Sequence, residues 1–209
     1  MDCPNCGTPI KSGMFSSVSL LEQNEIDFIN EYHHNKRDGY CSKCGKEMLT
    51  NYLQNYNVEK SSLIKKMSDL ISALPVVSVQ NPINWDYEIL SMVTGQSTTG
   101  TGVISEFTSS FTDLLGRQSG RFNKKLKDGE ALCFSQLRMQ ALDLGGNAVI
   151  ATDIDYSEVG GDKGMLMVCM GGTAVKLKNI IILGEERANQ INELHKMNAR
   201  IRILNAYNK

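Results

Sequence analysis

Two Cys-x-x-Cys-Gly knuckles, MDCPNCG at the start of the chain and CSKCG from Cys41, restrict what this sequence can fold into more than any other feature. Two residues between cysteines let a tight turn aim both sulfurs at one ion, and the glycine after each pair (Gly7, Gly45) relieves crowding where the backbone turns beside the thiolates. Cys3, Cys6, Cys41 and Cys44 form a C-x2-C, 34-residue, C-x2-C pattern. Four soft thiolates in a tetrahedron favour zinc, with bonds of about 2.3 Å, and leave no open coordination position. A closed site cannot activate water, so the expectation is one structural Zn2+ per chain. A redox dithiol is the competing reading, but a strand before and a helix after, the usual setting of such a motif, do not surround Cys3. His33 and His34 precede the second knuckle and offer a substitute ligand; the alternative is a polar helix end. Cys133 and Cys169 lie in apolar surroundings, where packing is the default role.

With 22 basic and 23 acidic residues the formal charge is -1, so no overall field draws the chain to nucleic acid or anionic lipid. Nucleic acid is not an expected partner. Hydrophobic residues at 41% suffice for a packed core. No run approaches the ~18 apolar residues of a membrane span, and a basic leader followed by an apolar stretch is absent. Paired cysteines of the metal-binding type fit a reducing compartment, and the expected location is cytoplasmic.

Within the first knuckle-to-knuckle segment, SLLEQNEIDFINEYHHNKRDGY reads as helical, with Leu21, Phe28, Ile29 and Tyr32 near the helical period and Ser19 placed to cap it. Met48 to Leu74 reads as one or two helices carrying the stripe Leu63, Ile64, Met67, Leu70, Ile71 and Leu74, stopped by Pro75. Strands are expected at Val76–Gln80 and Trp85–Gly95, helices over Val103–Gly116 and from about Arg121 to Leu144. NAVIATDIDYSEV and MLMVCMGGTAVKLK then form a hairpin across GGDKG. Glu185 to Tyr207 is helical again, with Ile191, Leu194, Met197, Ile201 and Leu204 on one side. The division this implies is a zinc ribbon with helical insert at 1–50, a helical connector at 51–84, a main domain at 85–183 and a C-terminal amphipathic helix at 184–209.

Four pieces in order, VTG from Val93, GRQSGRF from Gly116, LGGNAVIATDIDYSEVG from Leu144 and MLMVCMGGTAVK from Met165, resemble the YbjQ family of small bacterial and archaeal domains, which carries a heavy-metal-binding label. The resemblance covers about 40% of the chain, Val93 to Lys176. It implies an α+β fold of dodecin-like architecture, an antiparallel sheet with helices, that assembles into a ring, typically a pentamer. This chain departs from the family where Arg117, Gln118 and Ser119 follow Gly116 and the next aromatic is Phe122 rather than tyrosine, which removes a hydroxyl from that loop.

Asp153 and Asp155 alternate with Ile154 and share a strand face, spaced for a hard cation, for acid/base work, or for solvent and subunit contact. Arg117, Ser119 and Arg121 stand at a helix start suited to an anion or to salt bridges between subunits. Met165, Met167 and Cys169 share a strand face and read as core or interface filling rather than soft-metal ligands. No phosphate loop, dinucleotide fingerprint, nucleophile elbow or His–Glu zinc-hydrolase motif occurs, so no catalytic residue is assigned and enzymatic activity is not expected. The leading expectation is a homo-oligomeric, ring-forming assembly domain, driven by unpaired sheet edges, with the ribbon or C-terminal helix free to contact a protein partner. Transition-metal handling by the core is the alternative, and an enzyme at a subunit boundary the third.

Overall fold

The computed structural model describes residues 1–10, 18–99, 118–159 and 165–207. The expected helix over Val103–Gly116 and the GGDKG turn lie outside the described residues. The chain divides into two compact units, Met1–Lys66 with Ala199–Lys209, and Met67–Asn198.

The first unit contains α1 (Gln23–Tyr32), most of α2 (Ser42–Leu70) and the end of α4 (Glu185–Asn205). Helix α1 does not start at Ser19. Its N-cap is Glu22, whose backbone amide bonds the Glu25 carboxylate at 3.0 Å while its own side chain accepts from the third helical residue, a reciprocal capping box. Ile26, Ile29 and Tyr40 form one small core with Leu21, Cys44, Met48, Leu49 and Tyr52 around it. A second gathers Phe28, Tyr56 and Leu204, with Tyr32 and Tyr207 packed against them. Phe28 meets Tyr56 and Tyr207 edge to face, at centroid distances of 5.8 and 5.6 Å, the arrangement favoured by ring quadrupoles.

The second unit is a mixed helix and sheet structure: β1 (Tyr87–Thr99), α3 (Gln118–Asp143), β2 (Ala148–Val159), β3 (Met165–Leu177) and the larger part of α4. All pairings are antiparallel and β3 is central, giving the order β1-β3-β2. The expected α+β class and hairpin are present. Val76–Gln80 forms no ladder strand; it makes a single parallel bridge, Val76 to Val149, supported by four backbone hydrogen bonds between Pro75–Val79 and Val149–Thr152. Opposite that segment β2 bulges between Ile150 and Asp153, with Ala151 at φ 53°, and both consecutive amides, Ala151 and Thr152, turn outward to Val79 and Val77 carbonyls.

Helix α3 lies over β1 and β3, burying Cys133, Leu137, Ala141 and Leu142 toward Val93, Val168 and Met170. Gly95 sets this distance. A Cβ there would stand 2.7 Å from the Cys133 carbonyl oxygen and 3.0 Å from its Cα, both backbone atoms that cannot rotate away. Gly95→Ala is therefore expected to force α3 off β1 and destabilise the second unit by roughly 1–3 kcal/mol, read as a lowered urea midpoint of Trp85 emission. An unchanged midpoint would show that α3 does not sit this close.

The expected open sheet edges are open only in part. Pro75–Val79 covers β2 up to Thr152, and side chains from α3 cover part of β1. Among the described residues, no helix is long and apolar enough to cross a membrane.

Candidate metal centre

The two knuckles reach their common point by different routes. The first is a turn, held by the Gly7 amide donating to the Cys3 carbonyl at 2.9 Å, and Gly7 sits at φ 69°, a left-handed conformation that glycine adopts at no steric cost. The second opens α2: Cys41 stands just before Ser42 and Cys44 lies in the first turn. Here Gly45 is required for space, because a Cβ would fall 2.3 Å from Leu21 Cδ1 and 3.1 Å from Tyr40 Cβ. Neither glycine amide serves a sulfur; that of Gly45 donates to the Cys41 carbonyl at 2.8 Å.

These elements bring Cys3, Cys6, Cys41 and Cys44 together, with all four sulfurs within 4.8 Å of one another. Cys3–Cys44 is 3.8 Å, Cys6–Cys41 3.7 Å and Cys41–Cys44 3.7 Å. Bonded sulfurs would lie at about 2.05 Å, so the four are free thiols rather than disulfides. A tetrahedron with metal–sulfur bonds of about 2.3 Å has edges of about 3.8 Å, so the residues present fit a metal ion of that size.

The surroundings favour the thiolate at Cys3 and Cys6. Burial resists ionisation of Cys3, but amides of Cys6, Asn5 and Cys41 converge on it, the last at 3.2 Å, and together hold the thiol below its ordinary value. The Thr8 hydroxyl, 3.1 Å from Cys6 Sγ, and the Thr8 amide bring Cys6 down to about 6. Cys44 goes the other way: burial pushes it up to about 12 against the Asn5 side-chain amide at 3.5 Å. The N-terminus of α2 adds a favourable dipole for negative charge at Cys41 and Cys44. Asn5 and Thr8 were not singled out from sequence; their signal is position, one inside the first knuckle and one just after its glycine.

His33 is not a ligand in this arrangement. Its Nδ1 lies 2.8 Å from the Tyr52 hydroxyl. Asp153 and Asp155 are exposed on β2, on the face away from α3, and line a cleft of about 560 Å³ with Met92, Thr94, Cys169 and Gly171. Arg117 lies outside the described residues. Ser119 and Arg121 fall in the first turn of α3, where only the backbone is described.

Residues 76–178 match the family model YbjQ_1, whose description is "Putative heavy-metal-binding". A crystal structure of a protein with unknown function from Pediococcus pentosaceus ATCC 25745, which belongs to the DUF74 family, is similar at 17% sequence identity over 49% of this chain and 96% of that one, with a TM-score of 0.34.

Proposed function

We propose, from the premise that residues 76–178 are a YbjQ-type domain, that this chain is a non-enzymatic, self-associating scaffold whose first unit is folded by one structural Zn2+. The observation that carries the metal half is the cluster of Cys3, Cys6, Cys41 and Cys44 sulfurs, all within 4.8 Å of one another, with three of the separations at 3.7–3.8 Å matching the edge of a zinc–thiolate tetrahedron. All four positions are taken by protein, so the ion stabilises rather than reacts. Its location is a reducing, cytoplasmic one, where such thiols stay unoxidised.

Self-association, with a dodecin-like pentamer as the expected form, draws support from apolar surface. Ala148, Ile150, Val175 and Leu177 make a core cluster with Trp85, Tyr87 and Leu183 packed on it. The segments flanking that cluster leave Val79, Ile83, Ile89, Ile181 and Ile182 exposed, Ile83 at 86% and Ile89 at 68%. So many large apolar side chains on a small unit fit a surface that another copy covers. The knuckle region, or the outward side of the end of α4 that carries Ile203, is the surface proposed for a protein partner. Light scattering on the zinc-loaded chain is expected to give about five times the 23.2 kDa of one chain; a clean monomer at micromolar concentration would overturn the assembly reading.

The second reading, transition-metal binding by the core, is favoured by one observation: Asp153, Asp155, Cys169 and Met92 border one cleft. Elemental analysis separates the two. A variant with all four knuckle cysteines replaced by serine retains bound metal under the second reading and none under the first.

A further inference from the structure

Gln136 and Gln140 stand one turn apart on α3 and face the outer margin of β1, where an edge strand leaves every second amide and carbonyl without a partner. Both glutamines bond that margin twice. The Thr94 amide donates to Gln140 Oε1 at 3.2 Å while Gln140 Nε2 donates to the Thr94 carbonyl at 2.5 Å. The Gln96 amide donates to Gln136 Oε1 at 2.7 Å while Gln136 Nε2 donates to the Gln96 carbonyl at 3.2 Å. A primary amide carries the same donor and acceptor as a peptide unit, so each side chain reproduces one rung of a β-ladder. The spacing also agrees: four residues of helix advance about 6 Å, and two residues of strand about 6.7 Å. Gly95, between the two rungs, is what lets the helix come near enough.

The opposite margin is guarded too. Pro75–Val79 occupies β2 as far as Thr152, and the Asp155 carboxylate accepts the Tyr156 amide at 2.9 Å.

From this geometry we propose that Gln136 and Gln140 act as a surrogate strand, an edge guard that prevents another chain from adding to β1 and so directs self-association of this protein to its faces rather than its strand edges. The last clause rests on the assembly reading above; the guard itself does not. Loss of the guard exposes two adjacent rungs on a long edge, and the partner that fits is the β1 margin of a second copy.

Amide hydrogen exchange on the full zinc-loaded chain tests it. Thr94 and Gln96, though on an edge strand, are expected to exchange slowly. Gln140→Ala speeds Thr94 and Gln136→Ala speeds Gln96, each by roughly fivefold or more, while the amides of β3 stay protected. Gln136→Glu keeps the acceptor and is expected to keep Gln96 slow, which a loss of packing would not do. The double alanine variant is expected to form larger species as concentration rises, seen by sedimentation. Wild-type Thr94 and Gln96 amides exchanging as fast as in an unstructured peptide would overturn the proposal, as would a double variant that sediments like wild type. Because exchange at two amides is read equally in a monomer or an oligomer, failure of the guard and failure of the assembly reading give different results.

Discussion

Removing the metal from the zinc-loaded chain with a chelator is expected to abolish the near-ultraviolet dichroism of the first unit's tyrosines, leaving only the share of Tyr87, Tyr156 and Trp85, and to leave Trp85 emission unchanged. Five of the seven tyrosines, Tyr32, Tyr40, Tyr52, Tyr56 and Tyr207, belong to the first unit, and the single tryptophan belongs to the second, so each unit has its own reporter. The first unit is expected to depend on a bound ion because its cores are small and one is built on the knuckle itself: Cys44 packs against Ile26, Ile29 and Tyr40. Zinc binding to such sites is worth about 10–16 kcal/mol, as much as the whole stability of an ordinary domain. Without it, four thiols crowd one point with nothing to hold them. Cys41→Ser is expected to act like chelation, since Cys41 is fully buried and immediately precedes α2. The second unit has an independent core in Val93, Leu137, Val149, Val168 and Val175. If Trp85 emission shifts in the same cooperative transition as the tyrosine signal, the units do not fold independently and the assignment of the ion to one of them fails.

How much of this could be read in advance depends on how far apart the interacting residues lie and whether a period marks them. The four sulfurs were legible because metal ligation imposes a spacing that nothing else in the composition explains. Helix α3 and the β2–β3 hairpin were legible because alternation and helical periodicity survive over a dozen residues or more. The start of α2 was not. Gly45 reads as a turn signal, whereas it sits inside the helix because Leu21 and Tyr40 leave no room for a side chain, a constraint set by residues elsewhere in the chain. Val76–Gln80 has strand composition but pairs with β2 through one bridge, since the bulge at Ala151–Thr152 turns two successive amides toward it and ends regular pairing. The bulge also leaves the Thr152 hydroxyl buried with no partner, a cost invisible to any pattern of polarity. Gln136, Gln140 and Arg200 look like ordinary surface residues of amphipathic helices. Their roles come from partners 40 to 169 positions away.

Replacing Arg200 by methionine is expected to destabilise the first unit by roughly 2–4 kcal/mol, below the full cost of breaking a buried pair because each side chain keeps between a fifth and a third of its surface in solvent. Arg200, on α4, reaches two carboxylates: Nε and Nη2 bond Glu59 at 2.6 and 3.1 Å, and Nη1 bonds Glu31. The Tyr32 hydroxyl donates to Glu59 at 2.8 Å and the Tyr207 hydroxyl to Glu31 at 3.5 Å. Losing the guanidinium leaves two like charges sharing two phenols, so the cost comes from uncompensated carboxylates rather than lost packing. Glu59→Gln in the Arg200→Met background is then expected to recover part of the loss; no recovery would mean that the arginine acts through its aliphatic stem. The pH dependence gives a second discriminant. Hydrogen bonds from Arg200 hold the Glu59 carboxyl below its ordinary value. Its contribution is complete above the unfolded value of about 4.3 and lost as pH falls through the folded one. Burial, with the bond to Glu59, raises the Tyr32 phenol, so that contribution is complete below about 10 and lost as pH rises beyond it. Urea midpoints of the tyrosine signal should therefore decline at both ends in the wild type. In the methionine variant the Glu59 share of the acid decline disappears, while the alkaline decline persists because burial of Tyr32 does not depend on the arginine. Loss of a bound ion in acid would be common to both proteins, so an acid decline of equal depth in the two would remove Arg200 from the account of how this unit holds its last helical turns.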